Sequence, residues 1–277
     1  NTQAKCKTRA GVGENQVWKV GVENHEWNGG ASAIEAASST SYANPTITVI
    51  ANCQEPSWPC KGNTKEFSTY GEQDVFVSGN NFGPIPDPDD QCAPSDPGRI
   101  TVQYDNLWDV NNTKYHQYDQ PVACKVIDAH TGLKCKTLPG VSKNFVWTVT
   151  VSGQPSAPSS QSKADTTFYT PPVVRRVRGP GAYGASTEGG QKFYVEGDFF
   201  GPKTACAGVA QRSDFNCIDF VRFITMDTGA TVVPQAFEGV MCSVKNAQTM
   251  IECTAPVGVG KNMKYKVQVG SQESPYN

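Results

Sequence analysis

The apolar positions of this chain recur every second residue over short stretches, with turns between them. Val75 and Val77 alternate with polar neighbours and end at a glycine turn, the periodicity of a half-buried strand. Ile100–Tyr104 alternates in the same way, Val122 and Cys124 open another strand, and Leu133 and Cys135 sit on the next. In Val146–Val151, Trp147, Val149 and Val151 form the predicted core face, with Val146, Thr148 and Thr150 opposite. Ile47, Val49 and Ile50 open this series, and residues 172–277 run through the same order again. The one helix candidate is the weak stretch at residues 31–39. Short alternating strands between turns rich in Pro and Gly predict an all-β fold of tandem sandwiches.

The order repeats because the sequence does. Cys124 and Cys135 are followed, 118 residues later, by Cys242 and Cys253. At the same offset Gly79 meets Gly197, Gly83 meets Gly201, Gly140 meets Gly258, Gln154 meets Gln272, and Trp147 meets Tyr265. The N-terminus carries pieces of the same unit. Cys6–Gly13 resembles the stretch that begins at Cys135, residues 18–24 resemble residues 147–153, and Ser-Tyr-Ala-Asn-Pro at 41–45 resembles Phe-Tyr-Thr-Pro-Pro at 168–172. The expected organisation is the back half of one unit at 1–44, a complete unit at 45–171, and a nearly complete unit at 172–277 that stops before a counterpart of residues 166–172. A section of a longer repeat array is the expectation. Pro171 and Pro172 would stiffen the boundary between the last two units.

Composition narrows the setting. Twenty-four basic against 26 acidic residues offer no nucleic-acid surface. No apolar run is long enough to span a bilayer. Ten cysteines, no Cys-x-x-Cys pair and only three histidines (His25, His116 and His130) favour disulfides in an oxidising compartment over a structural metal. Outside the cell, the sequon at Asn111–Thr113 becomes a glycosylation candidate at Asn111.

Several stretches taken together resemble the IPT/TIG domain. They are Gly-Glu-Gln-Asp-Val-Phe-Val-Ser-Gly-Asn-Asn-Phe-Gly-Pro from Gly71, the two cysteines of 124 and 135, the Thr-Leu-Pro-Gly turn after them, and the stretches beginning at Trp147 and Phe168. The second copy supplies Gly-Gly-Gln-Lys-Phe-Tyr-Val-Glu-Gly-Asp-Phe-Phe-Gly-Pro, then the pair Cys242 and Cys253, then Tyr-Lys-Val-Gln-Val-Gly. The resemblance implies immunoglobulin-like sandwiches that act as spacers or binding modules of extracellular proteins. The units here are longer than the family norm, with the extra residues in loops, where contacts with neighbours usually lie.

Disulfide candidates are Cys124 with Cys135 and Cys242 with Cys253, each linking adjacent strands, a pairing the resemblance also implies. Cys206 with Cys217 and Cys53 with Cys60 are further candidates, leaving Cys6 and Cys92 unassigned. Asp87, Asp89, Asp90 and Asp96 crowd one Pro-rich loop and are weak calcium candidates; a solvated acidic loop is the plainer reading. Arg175, Arg176 and Arg178 would lie on both faces of a strand, as a surface between units or as bridges to that acidic loop. Tyr115, His116, Tyr118 and Asp119 form a polar aromatic cluster near the sequon.

No motif for a nucleophile, a metal protease or a phosphate-binding loop is present. The expected protein is not an enzyme and needs no cofactor. It would be a structural or adhesive module of a long extracellular repeat protein, a stiff spacer and assembly surface in a coat, filament or appendage. Its partners would be other copies, other subunits or glycans. A ligand-binding ectodomain segment of a cell-surface receptor is the alternative. An immunoglobulin-like DNA-binding domain is disfavoured by the cysteines and by the lack of a basic loop.

Overall fold

The computed structural model describes residues 5–18, 39–52, 65–85, 100–106, 122, 124–160, 166–203, 217–225 and 236–277. All of its regular elements are strands, and they build two sandwiches, each with its own core.

In the first, β1 (Thr46–Asn52), β3 (Asp74–Asn80), β6 (Gly132–Lys136) and β5 (Cys124–Asp128) form a sheet in the order β1-β3-β6-β5. Facing it are β4 (Ile100–Asp105), β7 (Val146–Val151) and β8 (Gln154–Pro155). A short parallel pair, β2 (Glu66–Phe67) with β9 (Phe168–Tyr169), closes one end. Val75, Val77, Leu133, Val102, Trp147, Val149 and Val151 are all buried in the shared core. Val146, at the start of the strand, is buried as well, although it points away from Trp147, while Thr148 and Thr150 on its face are half-buried.

The second sandwich repeats the plan. Its sheets are β10 (Val173–Arg178), β11 (Lys192–Asp198), β15 (Met250–Thr254) and β14 (Val240–Asn246), against β13 (Ala236–Glu238), β12 (Ile218–Thr225), β16 (Met263–Val269) and β17 (Gln272–Glu273). Even the close approaches recur. A Cβ on Gly79 would lie 1.8 Å from the Thr46 carbonyl oxygen, and one on Gly197 would lie 1.8 Å from that of Val173. Only glycine lets the neighbouring strand pass there.

One cross-strand disulfide staples each sandwich. Cys124 and Cys135 face each other in the β5–β6 register with Cα atoms 4.1 Å apart. Cys242 and Cys253 join β14 to β15 at the same 4.1 Å. Each closes a short loop, so its effect falls mainly on the unfolded chain and amounts to roughly 2–3 kcal/mol in the chain-entropy account. Peptide mapping without reductant is expected to recover both pairs. Replacing Cys242 and Cys253 together by alanine should lower unfolding free energy in urea by about 2–3 kcal/mol, leaving far-ultraviolet circular dichroism unchanged.

Candidate functional site

The two sandwiches meet at a joint built from buried polar groups and one valine. Val141, in the loop after β6, is 3% exposed and belongs to the core of the second sandwich rather than the first. Its approach requires Gly201, where a Cβ would lie 2.5 Å from Val141 Cγ1, and the next residue, Ser142, lies against Gly270. Beside it Gln248 is 4% exposed and bonded at both ends of its amide. Its Oε1 accepts from Thr69 Oγ1 at 2.6 Å and from Gly201 N at 3.0 Å, and its Nε2 donates to Thr69 O at 2.8 Å. Gln272 Nε2 donates to Tyr169 O at 2.8 Å, which ties the end of the first sandwich to the second.

Part of this joint recurs one unit earlier. Gln154 Nε2 donates to Tyr42 O at 2.9 Å, as Gln272 does to Tyr169, and also to Asn44 Oδ1 at 3.1 Å. Val12 packs against the first core as Val141 packs into the second. Residues 5–18 and 39–44 therefore reproduce part of a sandwich. Trp18 Nε1 donates to Thr40 Oγ1 at 2.8 Å, and Trp147 Nε1 donates to Thr167 Oγ1 at 2.9 Å. Gln16 bridges Thr40 as Phe145 bridges Thr167. Tyr42 Oη donates to Arg9 O at 2.8 Å, and Tyr169 Oη to Leu138 O at 2.7 Å.

Tyr169 is the end-piece of the first sandwich. Its ring is fully buried and packs edge-on to Phe67 and Phe145. Because its hydroxyl proton goes to Leu138 O, the 2.7 Å contact with Tyr104 Oη makes Tyr104 the donor there, and Tyr104 Oη in turn accepts from Leu138 N at 3.1 Å. Burial pushes the Tyr104 phenol up to about 12, against the smaller opposing effect of its bond with Tyr169.

The described residues of the second sandwich enclose a cavity of about 590 Å³ lined by Phe223, Tyr265, Met263, Ala185, Pro256 and Asn277 among others. Burial holds the Tyr265 phenol above its usual range, with a smaller contribution from Tyr183. At the rim Tyr183 is 74% exposed, and Val257 and Val259 are 73% and 61% exposed. No His, Cys, Asp or Glu lines the cavity, and no cluster among the described residues could hold a metal.

Cys217 is disulfide-bonded, while Cys6 is exposed and free. Outside the described residues lie Cys53, Cys60, Cys92, Cys206, the four aspartates Asp87, Asp89, Asp90 and Asp96, Asn111, the Tyr115–Asp119 cluster, and the helix candidate. The arginines of β10 pair within their own sheet. Arg175 meets Asp198 at 2.5 Å, and Arg176 and Arg178 both bind Glu196. Arg176 and Arg178 are two residues apart and so share one side of the strand, with Glu196 directly opposite Arg176 in the register. Arg178 first and Arg176 second hold the Glu196 carboxyl below its ordinary range. Gln272 and Tyr169 were visible in sequence as repeated positions, but their repetition did not disclose that they bond across a boundary.

No family model and no curated protein matches the chain. Among solved structures it is similar to a crystal structure with xylogluco-oligosaccharide (13% identity, TM-score 0.37, covering 84% of this chain and 40% of that one). It is also similar to the plexin A4 full extracellular region, domains 1 to 8 (14%, TM-score 0.28, 83% and 17%). A third is SGBP-B from a complex xyloglucan utilization locus in Bacteroides uniformis (13%, TM-score 0.26, 84% and 48%). The chain spans less than half the length of each.

The paired phenols carry a test. Tyr169→Phe leaves the Leu138 carbonyl and the Tyr104 hydroxyl without their partner, so it should cost about 1–3 kcal/mol in urea unfolding. Tyr104→Phe on top of it should cost less than the sum of the two single changes, because both act in one network.

Proposed function

We propose that this chain works outside the cell as a segment of an ectodomain that holds binding sandwiches at a fixed mutual orientation. The joint carries the reading. A linker between independently moving domains is exposed and polar; here a valine, a glutamine and a tyrosine carbonyl are exchanged across the boundary. Thr69, Gly201 and Gln248 bond one another directly across the boundary, and the arrangement around Gln272 recurs around Gln154. The cross-strand disulfides and the bonded Cys217 support an oxidising setting.

In this reading the units are those of the IPT/TIG kind, with boundaries near residues 44 and 171, and the partners are other protein chains or glycans. The loops that exceed the family norm and the cavity of the second sandwich are the surfaces on offer. A second reading, a stiff spacer in a coat or filament, is favoured by the same joint, since repeating one rigid joint propagates one direction.

Small-angle scattering on the whole chain tests rigidity. The native protein should fit a single orientation of the two sandwiches. Gln248→Ala leaves Thr69 Oγ1, Thr69 O and Gly201 N short of a partner, a loss of about 1–3 kcal/mol, and should broaden the distance distribution. A native protein that already needs a wide ensemble would rule the reading out.

A further inference from the structure

The sheet β10-β11-β15-β14 carries the charges of its outer face in two layers. Phe193 and Val195 turn into the core, so Lys192, Tyr194, Glu196 and Asp198 face outward. The carboxylates Glu196, Asp198 and Glu252 lie low, with side chains 17–22% exposed. Over them lie Arg175, Arg176, Arg178, Lys192 and Lys245, with side chains 47–70% exposed. Lys192 and Lys245 meet Glu252 at 3.5 and 3.1 Å, and the arginines meet Asp198 and Glu196. Five cations over three carboxylates leave +2 on this face of a chain whose formal net charge is -2. The first sandwich is layered alike. Lys134 and Lys136 both lie 2.6 Å from Asp74, and Lys125 stands directly opposite Lys134. Like charges placed opposite each other cost stability, so folding alone gives no reason for that pair.

We infer that the outer face of β10-β11-β15-β14 is a binding site for a linear anionic polysaccharide, one that carries sulfate or carboxylate groups along its length. The arginines are set for this. Arg176 and Arg178 reach Glu196 through Nε alone, which leaves their terminal Nη groups without a partner among the described residues. Arg178 also lies over the Tyr194 ring, 5.1 Å from its centre. Each guanidinium is held at its base and offers its outer edge, and that planar fork matches two oxygens of a sulfate or carboxylate. The two forks stand roughly 7 Å apart along one strand. Beside them is a hollow of about 480 Å³ lined by Arg175, Arg176, Asp198, Thr249 and Met250 among others. Lys245 holds the Glu252 carboxyl below its ordinary range, as Arg178 and Arg176 hold Glu196. The inner layer therefore stays ionised at neutral pH and keeps the cations in place. Four strands spread the cations over roughly 14 Å, a span that a flexible polyanion meets with successive groups. A folded protein fits this face poorly, because the centre of a protein–protein contact is depleted of charge. The inference rests on the extracellular reading and names the class of glycan within it. It fails separately: a chain with a rigid joint that ignores polyanions loses only this site.

The test titrates dextran sulfate, polygalacturonate and neutral dextran into the full chain and follows backbone amide shifts. Saturable shifts at Tyr194, Glu196 and Thr249 are expected with a polyanion, weakening as salt rises. Binding of dextran sulfate alone assigns the anion as sulfate, and binding of polygalacturonate alone assigns it as carboxylate; either supports the site. Arg176→Gln with Arg178→Gln should weaken binding about tenfold or more. Exposed ion pairs add little to stability, so this variant should keep its thermal midpoint. Arg176→Lys with Arg178→Lys keeps the charge, removes the forks and should weaken binding about threefold. Arg222→Gln, on the opposite sheet, should leave binding unchanged. The inference is overturned by no saturable shift with either polyanion, by equal binding of the glutamine or lysine pair, or by shifts that map away from this face. It is overturned too if neutral dextran or poly-glutamate binds as tightly as the anionic polysaccharides.

Discussion

Val141 belongs to one sandwich by sequence and to the next by burial, and the arrangement of the whole chain depends on that exchange. Removing a valine side chain from water is worth roughly 1.5–3 kcal/mol. Here that free energy is realised only when the two sandwiches are seated on each other. The loop that presents Val141 also presents Ser142 to Gly270, and the adjoining turn presents Thr69 to Gln248. Stability of the core and orientation of the units are one quantity at this boundary, because the second core is incomplete without a residue of the first.

Glutamine suits this position for reasons of counting. Thr69 O already accepts from Gly140 N, and the second bond from Gln248 Nε2 fills its remaining lone pair. Gln248 Oε1 takes one bond from each sandwich. A shorter amide would not span the gap, and a carboxylate would place a buried charge opposite the Thr69 carbonyl. Gln248 also sits at φ 67°, the same left-handed turn that His130 takes in the first sandwich. The turn is a property of the unit; the cross-boundary bonding is a property of the side chain placed on it.

Much of the architecture is legible in the sequence because it rests on local periodicity and on repetition. Alternation at Val75 and Val77 or at Val149 and Val151 marks core faces directly, and Gly79 and Gly197 recur because a passing strand leaves no room for a Cβ. The joint is less legible. Gln154 and Gln272 stand out as repeated polar residues after a turn, yet nothing local says that their partner is a carbonyl more than 100 residues away. The arginines of β10 are legible in part. Alternation alone puts Arg176 and Arg178 on one face of the strand, but that they share Glu196 and that Arg175 meets Asp198 is decided by the pairing with β11. Strand pairing and long-range polar bonds are both set by tertiary context.

Repetition also gives meaning to differences between units. Val141 and Val259 occupy the same place in the same loop, but one is sheltered and the other faces water. Isolated exposed valines are ordinary on a protein surface. Two of them beside an aromatic-lined cavity form a contiguous apolar surface of the kind that marks an interface.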